Sequence, residues 1–284
     1  MVVRIVTDST ADLPAEVASA LGITVVPLTV FFGDEAYLDG VELDNAGFYA
    51  KMAASKDLPR TSQPSPAAFQ EAFQRLIDEG ADAILSLHLS SKLSGTYQSA
   101  CTARESLPEG SRRVPIEIVD SLSISAGLGH AAQQAARLAR EGANLEKIRA
   151  TVEDTLSRTK ILAVLDTLEY VRRGGRIGSA SAMLGNMLSF KPIIALTGGE
   201  VVPVERPRTR AKAYARVAQL LGEQGPLEAV AVVETNEEVG QQLGEAIQGV
   251  YSGELPHYDL GAVIGTHTGP GTAAIIFVTA RQSE

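Results

Sequence analysis

Several kinds of residue are scarce in this 284-residue chain, and each scarcity removes a class of function. There is one cysteine, Cys101, so no intramolecular disulfide can form, and a lone thiol suits a reducing compartment. The four histidines, His88, His130, His257 and His267, are scattered. No Cys/His group has metal-ligand spacing, so no metal or cofactor is expected. Positive charge is in deficit: 25 Lys and Arg stand against 34 Asp and Glu, for a net charge of -9. That is the wrong sign for neutralising nucleic-acid phosphates, and no nucleic-acid partner is expected. No apolar run approaches the roughly 20 residues of a membrane helix. Met1-Val2-Val3-Arg4-Ile5-Val6 reads at once as a strand, with no charged and apolar leader before it. These features together point to the cytoplasm.

What is present is enough apolar sequence, 45%, to bury one large core or two ordinary ones. The first half alternates β-branched runs with helical patterns, as a mostly parallel sheet covered by helices does. Strands are predicted at Val2 to Thr7, Ile23 to Phe32, Ala83 to His88 and Ile116 to Val119. Three of them run into Asp8-Ser9, Leu89-Ser90-Ser91 and Asp120-Ser121. In a parallel sheet such ends line one edge, the usual place for a ligand. Ser65 before Pro66 and Asn144 before Leu145 are predicted helix caps. Around Thr159 the rhythm changes. Strands at Ile161 to Leu165, Pro192 to Leu196, Val201 to Glu205, Ala229 to Glu234 and Ala274 to Thr279 alternate with helices at about Thr209 to Gln224 and Asn236 to Val250. Thr197-Gly198-Gly199-Glu200 is a hairpin signal. The expected architecture is α/β: a Rossmann-like, mostly parallel N-terminal domain over 1–158 and a mixed-sheet α/β (α+β) domain over 159–284. Gly33 to Asp44 and Lys56 to Pro66 read as irregular.

Four segments could carry chemistry. Leu89 through Ala100 contains Ser94-Gly95-Thr96 between a strand and a helix. Gly95 allows close backbone approach, and first-turn N–H groups with the helix dipole favour an anion. Ser94 could equally be only a helix cap. Arg60-Thr61-Ser62-Gln63-Pro64-Ser65-Pro66 is a second hydroxyl cluster, stiffened by two prolines, or else a plain capping loop. Val171-Arg172-Arg173-Gly174-Gly175-Arg176-Ile177-Gly178 is basic and glycine-rich. It suits a phosphate, an acidic partner or a solvated loop, and has neither a dinucleotide nor a Walker pattern. Gly265-Thr266-His267-Thr268-Gly269-Pro270-Gly271-Thr272 sets one histidine in a Gly/Pro loop before the last strand.

In order, and together with Val6-Thr7-Asp8-Ser9-Thr10, Glu169-Tyr170 and Lys191-Pro192, these segments resemble the DegV family of bacterial fatty-acid-binding proteins along essentially the whole chain. The resemblance implies a carrier and not an enzyme. It would hold a long-chain fatty acid such as palmitate or oleate and present its carboxylate to a separate fatty acid kinase. It places the carboxylate at Thr61 and Ser94, with Ser62, Gly95, Thr96 and His267 around it. It gives Arg173 and Arg176 contact roles toward the kinase, phosphate or, transiently, a membrane. Met183, Leu184, Met187, Leu188 and Phe190 are tail-lining candidates, although an ordinary core helix explains the same string. Burying a sixteen-carbon tail is worth on the order of 10 kcal/mol before binding costs. Hydroxyls at about 1 kcal/mol each then orient more than they hold. The expected anchor is a set of neutral donors with no arginine clamp. A competing expectation is a serine hydrolase or acyltransferase with Ser94 as nucleophile and His267 as base. It lacks the G-x-S-x-G order and an evident acid.

Overall fold

The computed structural model describes residues 1–183 and 190–281. The strands are β1 (Val3–Asp8), β2 (Ile23–Val26), β3 (Thr29–Phe32), β4 (Glu35–Leu38), β5 (Arg60–Ser62), β6 (Ala83–His88), β7 (Ile116–Asp120), β8 (Thr159–Val164), β9 (Ile193–Thr197), β10 (Glu200–Glu205), β11 (Leu227–Glu234), β12 (His257–Asp259) and β13 (Ala273–Thr279). The α-helices are α1 (Ala15–Leu21), α2 (Asn45–Ala54), α3 (Pro66–Asp78), α4 (Thr96–Glu105), α5 (Ser125–Arg140), α6 (Leu145–Arg158), α7 (Glu169–Arg173), α8 (Arg210–Gly222), α9 (Glu237–Ile247) and α10 (Ala262–Thr268).

Strands β2-β1-β6-β7 form a wholly parallel sheet. Its side chains alternate between two helical layers, as a period of two requires. Ile5, Leu85 and Leu87 meet Leu128 and Ala132 of α5 and Ile148 of α6 on one face. Val6 and Ile84 meet Phe69 and Phe73 of α3 and Ala100 of α4 on the other. Both predicted caps form: Ser65 accepts from the Ala68 amide at 3.2 Å, and Asn144 from the Lys147 amide at 2.9 Å. A six-stranded mixed sheet, β10-β9-β8-β13-β11-β12, starts at Thr159. The hairpin through Gly198-Gly199 joins β9 and β10 antiparallel, and β11–β12 is the parallel pair in it. Leu162, Ile275 and Phe277 on one face bury against α8 and α9. The opposite face, carrying Ile161, Ala163, Ala274 and Ile276, turns toward the parallel sheet.

Three expectations are corrected. Ile23 to Phe32 is two strands, because Pro27 supplies no amide for a ladder. The segments read as irregular contain β4 and β5, which sandwich β3 in a small antiparallel sheet. Gly265 to Thr268 is not loop but the second half of α10. Its run of Gly, Thr and β-branched residues has poor intrinsic helix propensity, and burial of Ala262, Val263 and Ile264 overrides that preference.

Candidate functional site

Between the uncovered face of the mixed sheet and the carboxyl edge of the parallel sheet lies a cavity of about 370 Å³. Ligand pockets run to roughly 300–1,000 Å³. Residues just past the ends of all four parallel strands reach it: Leu28 after β2, Thr10 after β1, Leu89 after β6, and Ile124 after β7. That is where ligands gather in parallel α/β sheets. The floor is two rows of alternating side chains. Ala163 faces Ile194 and Ala274 across its neighbours, and Ile161 faces Leu196 and Ile276. From Val201 on β10 to Val233 on β11 the floor crosses five strands, or ~19 Å at ~4.8 Å per step. An extended chain gains ~1.2 Å per bond, taking three backbone bonds per residue, so that floor takes an unbranched chain of about sixteen bonds. Val263 and Ile264 of α10 complete the walls.

The polar lining groups are linked to one another. Thr61 comes from β5, and its hydroxyl lies 2.8 Å from His267 Nε2 in the last turn of α10. Ser94 Oγ lies 2.9 Å from Thr96 Oγ1 and accepts from the Thr96 amide at 3.3 Å. The Gln63 side chain lies against Gly95, where an added Cβ would approach Gln63 Oε1 to 2.4 Å. Arg176 donates through Nε to the Leu93 carbonyl at 3.0 Å and through a terminal nitrogen to the Gly174 carbonyl at 2.6 Å. Ser62 and Gln63 are exposed, so the polar group communicates with solvent. Burial, with the charge of Arg176 second, lowers the His267 pKa to about 4. The imidazole is therefore neutral near pH 7. Its Nδ1 is buried without a partner and faces Gly174, where a Cβ would come within 2.2 Å. The arrangement offers a carboxylate hydroxyl donors and one guanidinium beside an apolar slot. Among the described residues no carboxylate is hydrogen-bonded to His267, whose Nε2 is engaged with Thr61 and not with Ser94.

Thr61, Ser62, Ser94 and His267 all line the cavity. Gly95 and the buried Thr96 stand behind Ser94 and support it. The two arginines expected to make contacts are placed differently. Arg176 lines the cavity, which sets a charged donor beside the neutral hydroxyls. Gly175, at φ 72°, reverses the chain after α7, and the Arg176 amide returns to the Val171 carbonyl at 3.1 Å, which aims the side chain inward. Arg173 stays exposed and pairs with Glu169 at 2.5 Å, as Arg172 does at 2.8 Å. Of the tail candidates, Leu184, Met187 and Leu188 lie outside the described residues. Met183 and Phe190 face a separate small cleft with Arg206, not this cavity. The cavity walls come from the sheet face and α10, positions the sequence reading treated as ordinary core and loop.

Two features escaped that reading. Gly261, Gly265 and Gly269 recur at four-residue spacing along α10 and abut Asp12, Tyr49 and Tyr170 in turn. The spacing itself was the available signal. The second is a chain from Ser86 Oγ to His88 Nε2 (2.7 Å) and from His88 Nδ1 to Asp8 Oδ2 (3.0 Å). It has the composition of a catalytic triad, but all three side chains are fully buried. Asp8 also accepts from the Leu89 amide and from Thr10, so the network ties β1 to β6 at the cavity edge.

Among the described residues no helix is long and apolar enough to cross a membrane, and no group of three or more His, Cys, Asp or Glu is placed to hold a metal ion. Residues 2–280 match the model of a family described as "Uncharacterised protein, DegV family". A DegV domain-containing protein of Halalkalibacterium halodurans is 39% identical over 282 residues, covering 96% of this chain and 97% of that protein. Among solved structures, a DegV family protein from Thermus thermophilus, described for its fatty acid binding, superposes with a TM-score of 0.88 at 34% identity, covering 99% of this chain and all of the other. DegV of Bacillus subtilis, described as a fatty acid binding protein, superposes with a TM-score of 0.87 at 33% identity, with the same coverage.

Proposed function

The chain belongs to the DegV family, and on that premise we propose that it is a carrier for one long-chain fatty acid. The acyl tail lies over the two-row floor, and the carboxylate sits among Thr61, Ser94, His267 and Arg176. The observation that carries this reading is the pairing of an apolar slot about sixteen bonds long with a compact polar group that opens to solvent. Burial of the tail supplies on the order of 10 kcal/mol, and the polar group aims the acid. Fatty-acid-binding relatives of the same fold support it.

The carboxylate end opens beside exposed Ser62 and Gln63, which fits presentation to a separate kinase that forms an acyl phosphate. Arg173, exposed at the end of α7, fits the docking of that kinase or a brief contact with anionic lipid. The unpaired Cys101 fits the cytoplasm as its place of work. The change of architecture between α6 and β8 fits two domains meeting at Arg158 and Thr159, with the ligand between them. No bound metal or cofactor enters this function, and the protein acts without turnover.

Mass spectrometry of lipid extracted from protein purified out of a heterologous host tests the proposal. About one fatty acid per chain is the expected result. Absence of extractable lipid, together with no binding of added palmitate or oleate, would overturn it.

A further inference from the structure

Helix α10 carries His267 in its last turn, yet its first turn has no side-chain cap of its own, because the N-cap is Gly261. The orphan amides there are met from the other half of the chain. The Gly261 amide donates to Asp12 Oδ1 at 3.1 Å, and the Asp39 carboxyl lies by the Ala262 amide and the Ser9 hydroxyl. Asp12 Oδ2 in turn accepts from the Ser125 hydroxyl at 2.5 Å. A third tie comes from α2, where the Tyr49 hydroxyl donates to the Leu260 carbonyl at 3.0 Å. Both ends of the Asp12–Ser125 bond have left-handed backbone, φ 48° at Asp12 and φ 54° at Ser125, and Leu122 is the one other described non-glycine residue with positive φ. Side chains that prefer other conformations are held there because the surrounding contacts over-determine them. The close contact of Gly261 with Asp12 leaves no room for a cap residue with a Cβ, which would come within 2.4 Å of Asp12 Oδ1.

We propose that Asp12 is a positioning residue for the head-group site, holding the first turn of α10 and thereby placing His267 against Thr61 at the helix's other end. The two ends are about 9 Å apart along the axis at 1.5 Å per residue. A helix this short transmits a displacement at its start to its last turn, since only about two turns lie between. Asp12 is faced by Ser125, Asp39, Asp8 and Tyr49, and His267 by Thr61, Arg176 and Gly174. Ser125 also lines the cavity, so fatty acid exchange alone would not separate the two routes, and the His267 titration is the readout of the route through α10. This inference rests on the carrier reading for its purpose, though not for its test.

The test follows the His267 imidazole by nitrogen-15 NMR across a pH series in the unliganded wild type, Asp12→Ala, Asp12→Asn and Tyr49→Phe. The same proteins are then loaded with palmitate labelled with carbon-13 at the carboxyl. Asp12→Ala is expected to move the His267 titration upward by about one pH unit, toward its ordinary value. It should also shift the carboxyl resonance and speed fatty acid exchange about fivefold, the loss of one hydrogen bond. Asp12→Asn keeps an acceptor for the Gly261 amide and is expected to restore all three. A fall in melting temperature with His267 titration and carboxyl resonance unchanged would overturn the proposal. If Asp12→Ala does not fold, Tyr49→Phe decides on the same readout, since it removes only the bond to Leu260. If the wild type takes up no palmitate, the carrier reading fails, while the His267 titration still decides the coupling.

Discussion

Ala163 and Ala274 face each other across β8 and β13 in the middle of the cavity floor, which makes Ala274→Leu a substitution with effects of opposite sign on binding and on folding. Leucine there adds three carbon atoms that point into the space proposed for the acyl chain. Each displaced methylene is worth about 0.8 kcal/mol, so about 2.4 kcal/mol of tail burial is lost. Palmitate affinity is then expected to fall about 50-fold. In the delipidated protein the same atoms occupy part of the cavity, so the variant is expected to be as stable as the wild type or more stable by up to about 2 kcal/mol. Fluorescence displacement of a polyene fatty acid measures the first quantity, and urea unfolding of the stripped protein the second. Unchanged affinity would show that the chain does not cross the floor at Ala274. Loss of affinity with an equal loss of stability would show only that the core was overfilled.

Thr61→Ala with Ser94→Ala removes about 2 kcal/mol of hydroxyl contacts, so palmitate is expected to bind about 30-fold more weakly and still copurify. Complete loss of bound lipid would contradict the division between an aiming head group and a retaining tail. Asp39 and His267 are expected to act on stability with opposite signs. Burial pushes the Asp39 carboxyl up from 3.8 to about 6, so its contribution is present below 3.8 and lost as pH rises through 6, by about 3 kcal/mol. His267 is lowered from 6.5 to about 4, so its contribution is present above 6.5 and lost, by a similar amount, as pH falls through 4. The two nearly cancel in the wild type. Asp39→Asn is therefore expected to gain on the wild type as pH rises from 4 to 6, and His267→Gln as pH falls from 6.5 to 4. Denaturant curves parallel to the wild type at every pH would refute this. Arg173→Ala is expected to leave fatty acid binding unchanged and, with the kinase proposed above, to slow phosphorylation. Arg176→Ala is expected to weaken binding itself, because that side chain lines the cavity, and identical profiles for the two variants would refute the distinction.

The parallel sheet was legible because its strands are long apolar runs and its helices carry clear caps at Ser65 and Asn144. Thr61, Ser94 and His267 could be picked out because hydroxyls beside Gly and Pro are conspicuous. The apolar floor of the cavity was not legible. Strands β8 and β13 are apolar on both faces, so Leu162, which meets helices, and Ile161, which meets a cavity, look alike in sequence. The Met and Leu string at 183–188 drew attention for the same reason, and of it Met183 faces a different cleft while residues 184–188 lie outside the described residues. Strands β4, β5 and β12 are short and polar, and only pairing makes them strands. The inward turn of Arg176 depends on the left-handed backbone at Gly175, which local composition allows without specifying. Helix α10 was hidden because it forms through burial of Ala262, Val263 and Ile264, and the residues it meets, Asp12, Tyr49 and Tyr170 among them, are distant in sequence.

A crystal structure with palmitate brominated at its terminal carbon would locate both ends of the ligand, since the anomalous signal marks one end of the chain and the carboxylate density the other. The carboxylate is expected within hydrogen-bond reach of Thr61 and Ser94, and the bromine buried in the cavity over the mixed sheet. A carboxylate elsewhere, or a bromine outside the cavity, would contradict this placement.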